Sequence, residues 1–184
     1  MTIVADEIQL GKGNVGIKTY SEGAYDSGYT DCGATTEKGV TFNYKADELK
    51  KKCGNHGGVV KYFYIGEEAS LDIELEQITA AILAKACGLA DTDIEDDLVN
   101  HIKSFMIGGN NTTNYFSVQH KVDFDNGLWA RLTCFKCQFT RDLKLPMAAK
   151  DTIDVPWKLN IVNDDAMGDT NGKLAMVEFN YKAE

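Results

Sequence analysis

Residues 71–76 read Leu71-Asp72-Ile73-Glu74-Leu75-Glu76. Apolar and acidic side chains alternate with a period of two, and successive side chains of a β-strand point to opposite faces. The segment is therefore a strand with one face for a core and one carboxylate face for a solvated surface. Just upstream, Val59-Val60-Lys61-Tyr62-Phe63-Tyr64-Ile65 is rich in the β-branched and aromatic residues that fit a pleated surface. Further back, Val40, Phe42 and Tyr44 alternate with Thr41 and Asn43, a third strand signal. Ala46–Gly58 joins the second and third of these segments. It carries Lys50-Lys51-Lys52 and then Cys53-Gly54-Asn55-His56-Gly57-Gly58, and it is long for a hairpin loop. It reads either as a solvated excursion with a small basic patch or as an arm that reaches a neighbouring molecule.

Downstream, the period changes. Gln77 to Cys87 carries Ile78, Ala81, Ile82 and Ala86 and stops at Gly88, which predicts a helix with a glycine C-terminal cap. Thr92 to Met106 opens with Thr92 and Glu95 in capping-box spacing, and Ile94, Leu98, Ile102 and Phe105 recur at helical intervals. That spacing predicts a second, short helix. Tyr115–Phe124 and Leu128–Leu143 flank Asp125-Asn126-Gly127, and Asn-Gly suits a tight hairpin because both residues accept positive φ. Trp157–Val162 and Leu174–Tyr181 flank a loop with Asn171-Gly172 and predict another hairpin. The resulting fold class is mainly β, an antiparallel sandwich or partly open barrel with one flanking α-helix and room for a second. No repeat, low-complexity run or linker divides residues 1–184, so one domain is expected.

The chain has 184 residues, 43% of them hydrophobic, which is enough for a core. Nineteen basic and 28 acidic residues give a net charge of −9, which opposes tight binding to phosphate backbones. Acids at Asp6 and Glu7 stand where a signal peptide carries bases, and no apolar run reaches membrane-spanning length. No membrane binding is expected. The five cysteines are odd in number and scattered, which fits reduced thiols in a cytoplasmic compartment. The overlapping glycosylation sequons at Asn110 and Asn111 carry little meaning there.

Several motifs weaken on inspection. Gly11-Lys12-Gly13-Asn14-Val15-Gly16 matches the dinucleotide fingerprint, but Ile17-Lys18-Thr19-Tyr20 and the glycines after it open no helix to hold a pyrophosphate. A flexible turn is the reading. Cys134-Phe135-Lys136-Cys137 is a single CxxC inside a strand pattern, where residues three apart face opposite ways. It reads as two packing cysteines, with zinc as a lesser alternative whose nearby donors are His101 and His120. Met167-Gly168-Asp169-Thr170-Asn171-Gly172 resembles part of an EF-hand loop but places methionine at the first ligand position. No nucleophile, base and orienting group stand at meaningful spacing, so neither catalytic residues nor a cofactor or metal site is assigned.

Two stretches carry a resemblance to a known family. Gly28-Tyr29-Thr30-Asp31 leads through Lys38-Gly39-Val40-Thr41-Phe42-Asn43-Tyr44, and Tyr64-Ile65-Gly66-Glu67-Glu68-Ala69-Ser70 leads into the acidic-apolar strand and a helix ending Ala86-Cys87-Gly88. With the Asp125-Asn126-Gly127 hairpin and the closing Asn163-Asp164-Asp165 … Gly172-Lys173-Leu174, the order resembles the major tail tube proteins of long-tailed phages across roughly residues 11–181. Thr92–Met106 departs from that pattern and reads as a peripheral insertion. The resemblance implies a structural, non-enzymatic subunit. It implies hexameric rings stacked into a tube around a tape-measure protein, with DNA leaving through the lumen. The site of action would be the virion tail, assembled in the host bacterial cytoplasm. The long loop would contact the adjacent ring, with Lys50, Lys51, Lys52, Asn55 and His56 as candidate contacts. The Asp72, Glu74 and Glu76 face is a candidate solvated surface, in the lumen or outside, and a net-negative lumen is expected.

Three other readings compete. One is another tail, baseplate or type VI secretion tube component on the same fold. Another is a β-barrel holding a small apolar ligand, which needs an internal cavity. The last is an enzyme for which no residue set can be named.

Overall fold

The protein is described here by a computed structural model that covers residues 12–23, 25–52, 59–76, 79–108, 114–124, 127–140, 155–164 and 172–180. Nine strands are described: β1 (Asn14–Thr19), β2 (Thr30–Lys52), β3 (Val59–Leu75), β4 (Glu95–Asp97), β5 (Ile102–Ser104), β6 (Phe116–Asp123), β7 (Trp129–Phe139), β8 (Val155–Ile161) and β9 (Ala175–Phe179). One helix, α1 (Ala80–Ala86), and a 3-10 turn (Asp91–Asp93) lie between β3 and β4. The expected fold class holds: mainly β, antiparallel throughout, with one flanking helix.

The main sheet runs β6-β1-β2-β3-β8-β7-β9, and β6 also pairs with β7. That extra pairing bends six strands into a circuit, β6-β1-β2-β3-β8-β7 and back to β6, leaving β9 on β7 outside it. The seam between β7 and β8 is short, with the register Cys137↔Ile161, Gln138↔Asn160 and Phe139↔Leu159. β9 takes the other part of the same β7 edge, from Ala130↔Phe179 to Cys134↔Ala175. The barrel is thus partly open beside β8.

The alternation that identified residues 71–76 sets the interior. Leu71, Ile73 and Leu75 of β3 stand opposite Leu159, Trp157 and Val155 of β8. Trp157, Leu159, Phe116, Val15, Ile17 and Leu132 join them in one buried cluster. Aromatic rings lock it at the seam: Phe139 meets Trp157 edge-on at 5.0 Å and Phe116 at 5.4 Å. Helix α1 adds Ile82 and Ala86 to the same cluster. Thr79 caps it, its hydroxyl accepting from the Ile82 amide at 3.2 Å. Gly88, at φ +77°, ends it, with Leu89 N–H donating to Ala84 O at 2.9 Å and Gly88 N–H to Lys85 O at 2.8 Å. This pair of bonds satisfies carbonyls that the last turn leaves open.

The expected Asp125-Asn126-Gly127 hairpin is present as β6–β7. Gly127 has φ +78°, and Phe124 N–H donates to Leu128 O at 2.8 Å. Asp125 and Asn126 themselves lie outside the described residues.

Four expectations are corrected. Thr92–Met106 is not a helix; it is the 3-10 turn followed by the β4–β5 hairpin. The Asp97 carboxylate accepts from the Val99 and Asn100 amides at 3.0 and 3.1 Å and from Asn100 Nδ2 at 2.8 Å. Asp93 likewise accepts from the Ala90 amide at 2.8 Å. These aspartates bind turn amides that a helix would have used. The apolar stripe also finds no surface to bury it, since Leu98 is 76% exposed. The C-terminal strands are not paired along their length; β8 and β9 share one edge of β7, and the two segments meet in the single antiparallel bridge Asp164↔Lys173. Ala46–Gly58 is not one long loop, because β2 continues to Lys52. The glycine-rich turn is shorter than expected, as Asn14–Thr19 is already β1. Gly13 just before it is required by space, since a Cβ there would lie 2.3 Å from Lys121 O.

Replacing Trp157, which is 1% exposed, by alanine removes the ring that closes the seam. The expected cost is about 3–5 kcal/mol of unfolding free energy, read from urea denaturation of wild type and W157A. A loss under about 1 kcal/mol would mean that the β7–β8 seam does not carry the core.

Candidate assembly surface

β2 and β3 are much longer than their barrel partners. β1 pairs with β2 from Thr30 to Ala34, and β8 pairs with β3 from Ala69 to Leu75. Between Tyr44↔Ala69 and Lys52↔Val59 the two strands pair only with each other among the described residues. They form a two-stranded ribbon whose β3 side, Val59 to Glu68, runs roughly 30 Å at about 3.3 Å per residue. A two-stranded ribbon is marginal alone in water, and this one displays apolar side chains: Tyr44 is 53% exposed, Leu49 57%, Tyr62 55% and Ile65 64%. Leu49 faces Phe63 across the strands on one face, and Lys50 faces Tyr62 on the other, with its ammonium 5.8 Å from the ring centroid. The register slips between Asp47 and Glu48, where Ile65 is the extra residue of a bulge.

Of the sequence-predicted contacts, Lys50 and Lys51 lie exposed on this ribbon and Lys52 is its last β2 residue. Asn55 and His56 lie outside the described residues. Sequence reasoning placed the basic patch but missed the apolar pairs beside it. Their signal was present, since Leu49 and residues 59–65 have strand texture, but a loop reading of Ala46–Gly58 separated them.

At the root of the ribbon a groove of about 610 Å³ lies between Asn43–Lys45, Glu67–Ser70 and Lys158–Ile161. Polar bonds line it: Asn43 Nδ2 donates to Asp72 at 2.9 Å and Tyr44 Oη to Glu67 at 2.9 Å.

The candidate acidic face is on the outer side of β3 as expected, but its charges are engaged. Glu74 pairs with the Lys38 ammonium at 2.9 Å and accepts from Thr36 Oγ1 at 3.0 Å. The Lys38 hydrogen bond, with help from Thr36, holds the Glu74 carboxyl below its usual range. Glu76 pairs with Lys12 at 2.6 Å. Asp72 binds Asn43. Each carboxylate of this partly exposed strand face thus has a basic or amide partner, from β2 or from Lys12 before β1.

A second polar constellation lies under two loops. Asp164, 0% exposed, accepts from Tyr20 Oη at 2.6 Å and from Tyr25 Oη. The Tyr25 ring meets Phe135 at a tilt of 51°, with centroids 4.6 Å apart. Burial and then the Asp164 contact push the Tyr20 phenol up to about 12. The same causes raise Tyr25, and burial raises Tyr29. No local pattern reveals this clasp, because its members are some 140 positions apart in the chain.

The CxxC pair behaves differently from a regular strand. Phe116 pairs with Cys137 but Val118 with Cys134, so β7 carries one extra residue there. This bulge turns both thiols inward, and both are 0% exposed. The expectation of opposite faces is therefore corrected. Burial holds the Cys137 thiol above its ordinary value, the reverse of what a redox or ligand thiolate needs. His120 is buried inside the barrel and His101 is exposed in the β4–β5 turn at φ +56°. Among the described residues no three His, Cys, Asp or Glu side chains are grouped to hold a metal ion. Met167–Asn171 lies outside the described residues. No described helix is long and apolar enough to cross a membrane.

No protein-family model matches this sequence, and no curated protein matches it. Among solved structures, it is similar to a chain in the cryo-EM structure of the six-fold-symmetrised anti-feeding prophage baseplate. The identity is 12% and the TM-score 0.45, over 85% of this chain and 92% of that chain.

The clasp generates a pH prediction with a definite sign. A phenol whose folded pKa is raised stays protonated in the folded state while the unfolded chain ionises, so stability present below pH 10 is lost as pH rises toward about 12. Urea midpoints should fall steeply above pH 10, and the fall should be shallower in a Tyr20→Phe variant. Identical slopes in the two proteins would show that Tyr20 is not held this way. Asp164→Ala, which strips the acceptor from two phenols, should cost about 2–4 kcal/mol at neutral pH by the same measurement.

Proposed function

We propose that this chain is a structural subunit of a phage tail or tail-like particle, and that its work is to associate with copies of itself. The finer form of the reading is a tube: hexameric rings that stack around a tape-measure protein and conduct DNA through a net-negative lumen, without catalysis, cofactor or membrane binding. It would assemble in the bacterial cytoplasm and reside in the virion tail.

The observation that carries the reading is the β2–β3 ribbon. It projects beyond the barrel with exposed apolar side chains on both faces, Leu49 and Phe63 on one and Tyr62 on the other, and exposed apolar surface of this kind marks an interaction site. The sequence resemblance to tail tube proteins supplies the class of partner, a second copy. The net charge of −9 suits a conduit wall that must not grip DNA. The competing ligand-barrel reading needs internal space, whereas the barrel interior is taken up by Trp157, Phe116, Leu159, Leu132 and Ile17.

Light scattering across a concentration series, with negative-stain microscopy of the same samples, tests this. Wild type should form rings or tubes as concentration rises. A Leu49→Asp, Phe63→Asp double variant should stay monomeric while its unfolding free energy shifts by no more than about 1 kcal/mol, since both side chains are substantially exposed. Wild type and variant both remaining monomeric at every concentration would overturn the reading. Lone rings that never stack would replace the tube by a terminator or baseplate ring.

A further inference from the structure

A second exposed apolar patch lies on the β4–β5 hairpin. Leu98 is 76% exposed, Val99 87%, Ile102 55%, Met106 85% and Ile107 65%. The strands are three residues each and, among the described residues, pair only with one another. A hairpin this small does not stand alone in water, so a partner surface is expected to cover it.

Charge indicates what that surface is. Residues 92–107 carry Asp93, Glu95, Asp96 and Asp97 against Lys103 as the one lysine. The distal ribbon, residues 49–52 and 59–63, carries Lys50, Lys51, Lys52 and Lys61 and no acid. Each patch mixes aliphatic or aromatic side chains with a net charge, acidic on the hairpin even with Lys103 paired to Asp96 at 3.2 Å and basic on the ribbon tip. Facing patches of this kind steer encounter and fix register.

Position agrees. β2 runs from Thr30 to Lys52, and the ribbon tip is its far end. α1 lies at its near end, where Thr79, Ala81, Ile82 and Lys85 border the same groove as Thr30–Gly33. The 3-10 turn and β4 follow α1 directly. The two patches are therefore attached at opposite ends of one strand 23 residues long, too far apart for one to fold back and cover the other in the same molecule. Two different patches at opposite ends of a subunit give a heterologous contact, which propagates.

We propose that the acidic, apolar β4–β5 hairpin of one copy is the receptor for the basic, apolar tip of the β2–β3 ribbon of the next. The proposal rests on the self-association reading and adds the partner surface to it. The lysines serve both sides of the problem. They discourage indiscriminate edge pairing along the ribbon, and they accept an acidic receptor.

The test uses two full-length variants, each blocked at one patch. Lys50→Glu with Lys51→Glu disables the ribbon and leaves the hairpin. Leu98→Lys with Val99→Lys disables the hairpin through two exposed turn side chains and leaves the ribbon. Thermal melts of each, compared with wild type, verify folding. Each variant alone should be monomeric by light scattering. Mixing them should give a one-to-one complex through the single intact pair of patches, with affinity falling about tenfold or more on going from low salt to about 0.5 M NaCl. Wild type that assembles while the hairpin-blocked variant assembles equally well would overturn the receptor and leave self-association standing. A mixture that stays monomeric while wild type assembles would do the same. Wild type that never assembles, with a mixture that never pairs, would remove both.

Discussion

The pairing of β6 with β7 is the constraint on which the rest depends. Without it the main sheet is an open array whose two outer strands both need partners. With it, six strands complete a circuit, and most backbone donors and acceptors of the barrel are satisfied within the chain. Closure also fixes the interior, because each inward residue must meet its neighbours on both sides. Trp157 can fill the centre only while Phe139 and Ile73 flank it. What closure does not cover is then informative. The unsatisfied apolar surface is left on the parts that leave the circuit, namely the ribbon, the β4–β5 hairpin, and β9, where Val177 and Phe179 are each 50% exposed.

Local chemistry was legible in the sequence and long-range pairing was not. The alternation at residues 71–76, the Gly88 stop and the β6–β7 hairpin with Gly127 at positive φ each depend on neighbours within a few residues, and each is present in the fold. The fate of Trp157–Ile161 and Ala175–Phe179 depends on β7, whose paired residues lie 20 to 49 positions away. A turn signal between them suggested mutual pairing, and β7 offered both a better-covered edge. Thr92–Met106 failed for another reason. Helical spacing describes a face, but a short helix forms when that face has something to pack on. Here Asp93 and Asp97 hold turn amides and no core surface competes with them. The CxxC reading assumed an unbroken two-residue period, and one bulge at Phe135–Lys136 reversed it. The site was half legible. Lysines at 50–52 were visible as a patch, while Leu49 opposite Phe63 required knowing that β2 runs on without a loop.

Charge has separate roles in different parts of the molecule. The β3 carboxylates that looked like a solvated acidic face are consumed by Lys38, Lys12 and Asn43, so their effect is to knit β2 and the β1 approach to β3. Such exposed pairs are worth little each, and their contribution is mainly to register. The acids around the β4–β5 hairpin differ, because Asp97 also shapes the turn that presents Leu98 and Val99 while Asp93 closes the 3-10 turn before it. One set of residues thereby builds the projection and gives it its sign.

The ribbon is subject to the strongest opposing demands in the molecule. Its apolar pairs favour association, its open backbone edges favour pairing with any strand, and its lysines repel other ribbons. Two ribbons meeting tip to tip would bring Lys50, Lys51, Lys52 and Lys61 together with the same residues of the second molecule, and like charges directly opposite are destabilising. In the proposed contact, the acidic hairpin would remove that repulsion while still covering Leu49 and Phe63. The same lysines would then disfavour a symmetric contact that stops at a dimer and favour an asymmetric one that continues. Under that proposal, this bias is a physical reason for a basic segment at the tip of a protein whose overall charge is −9.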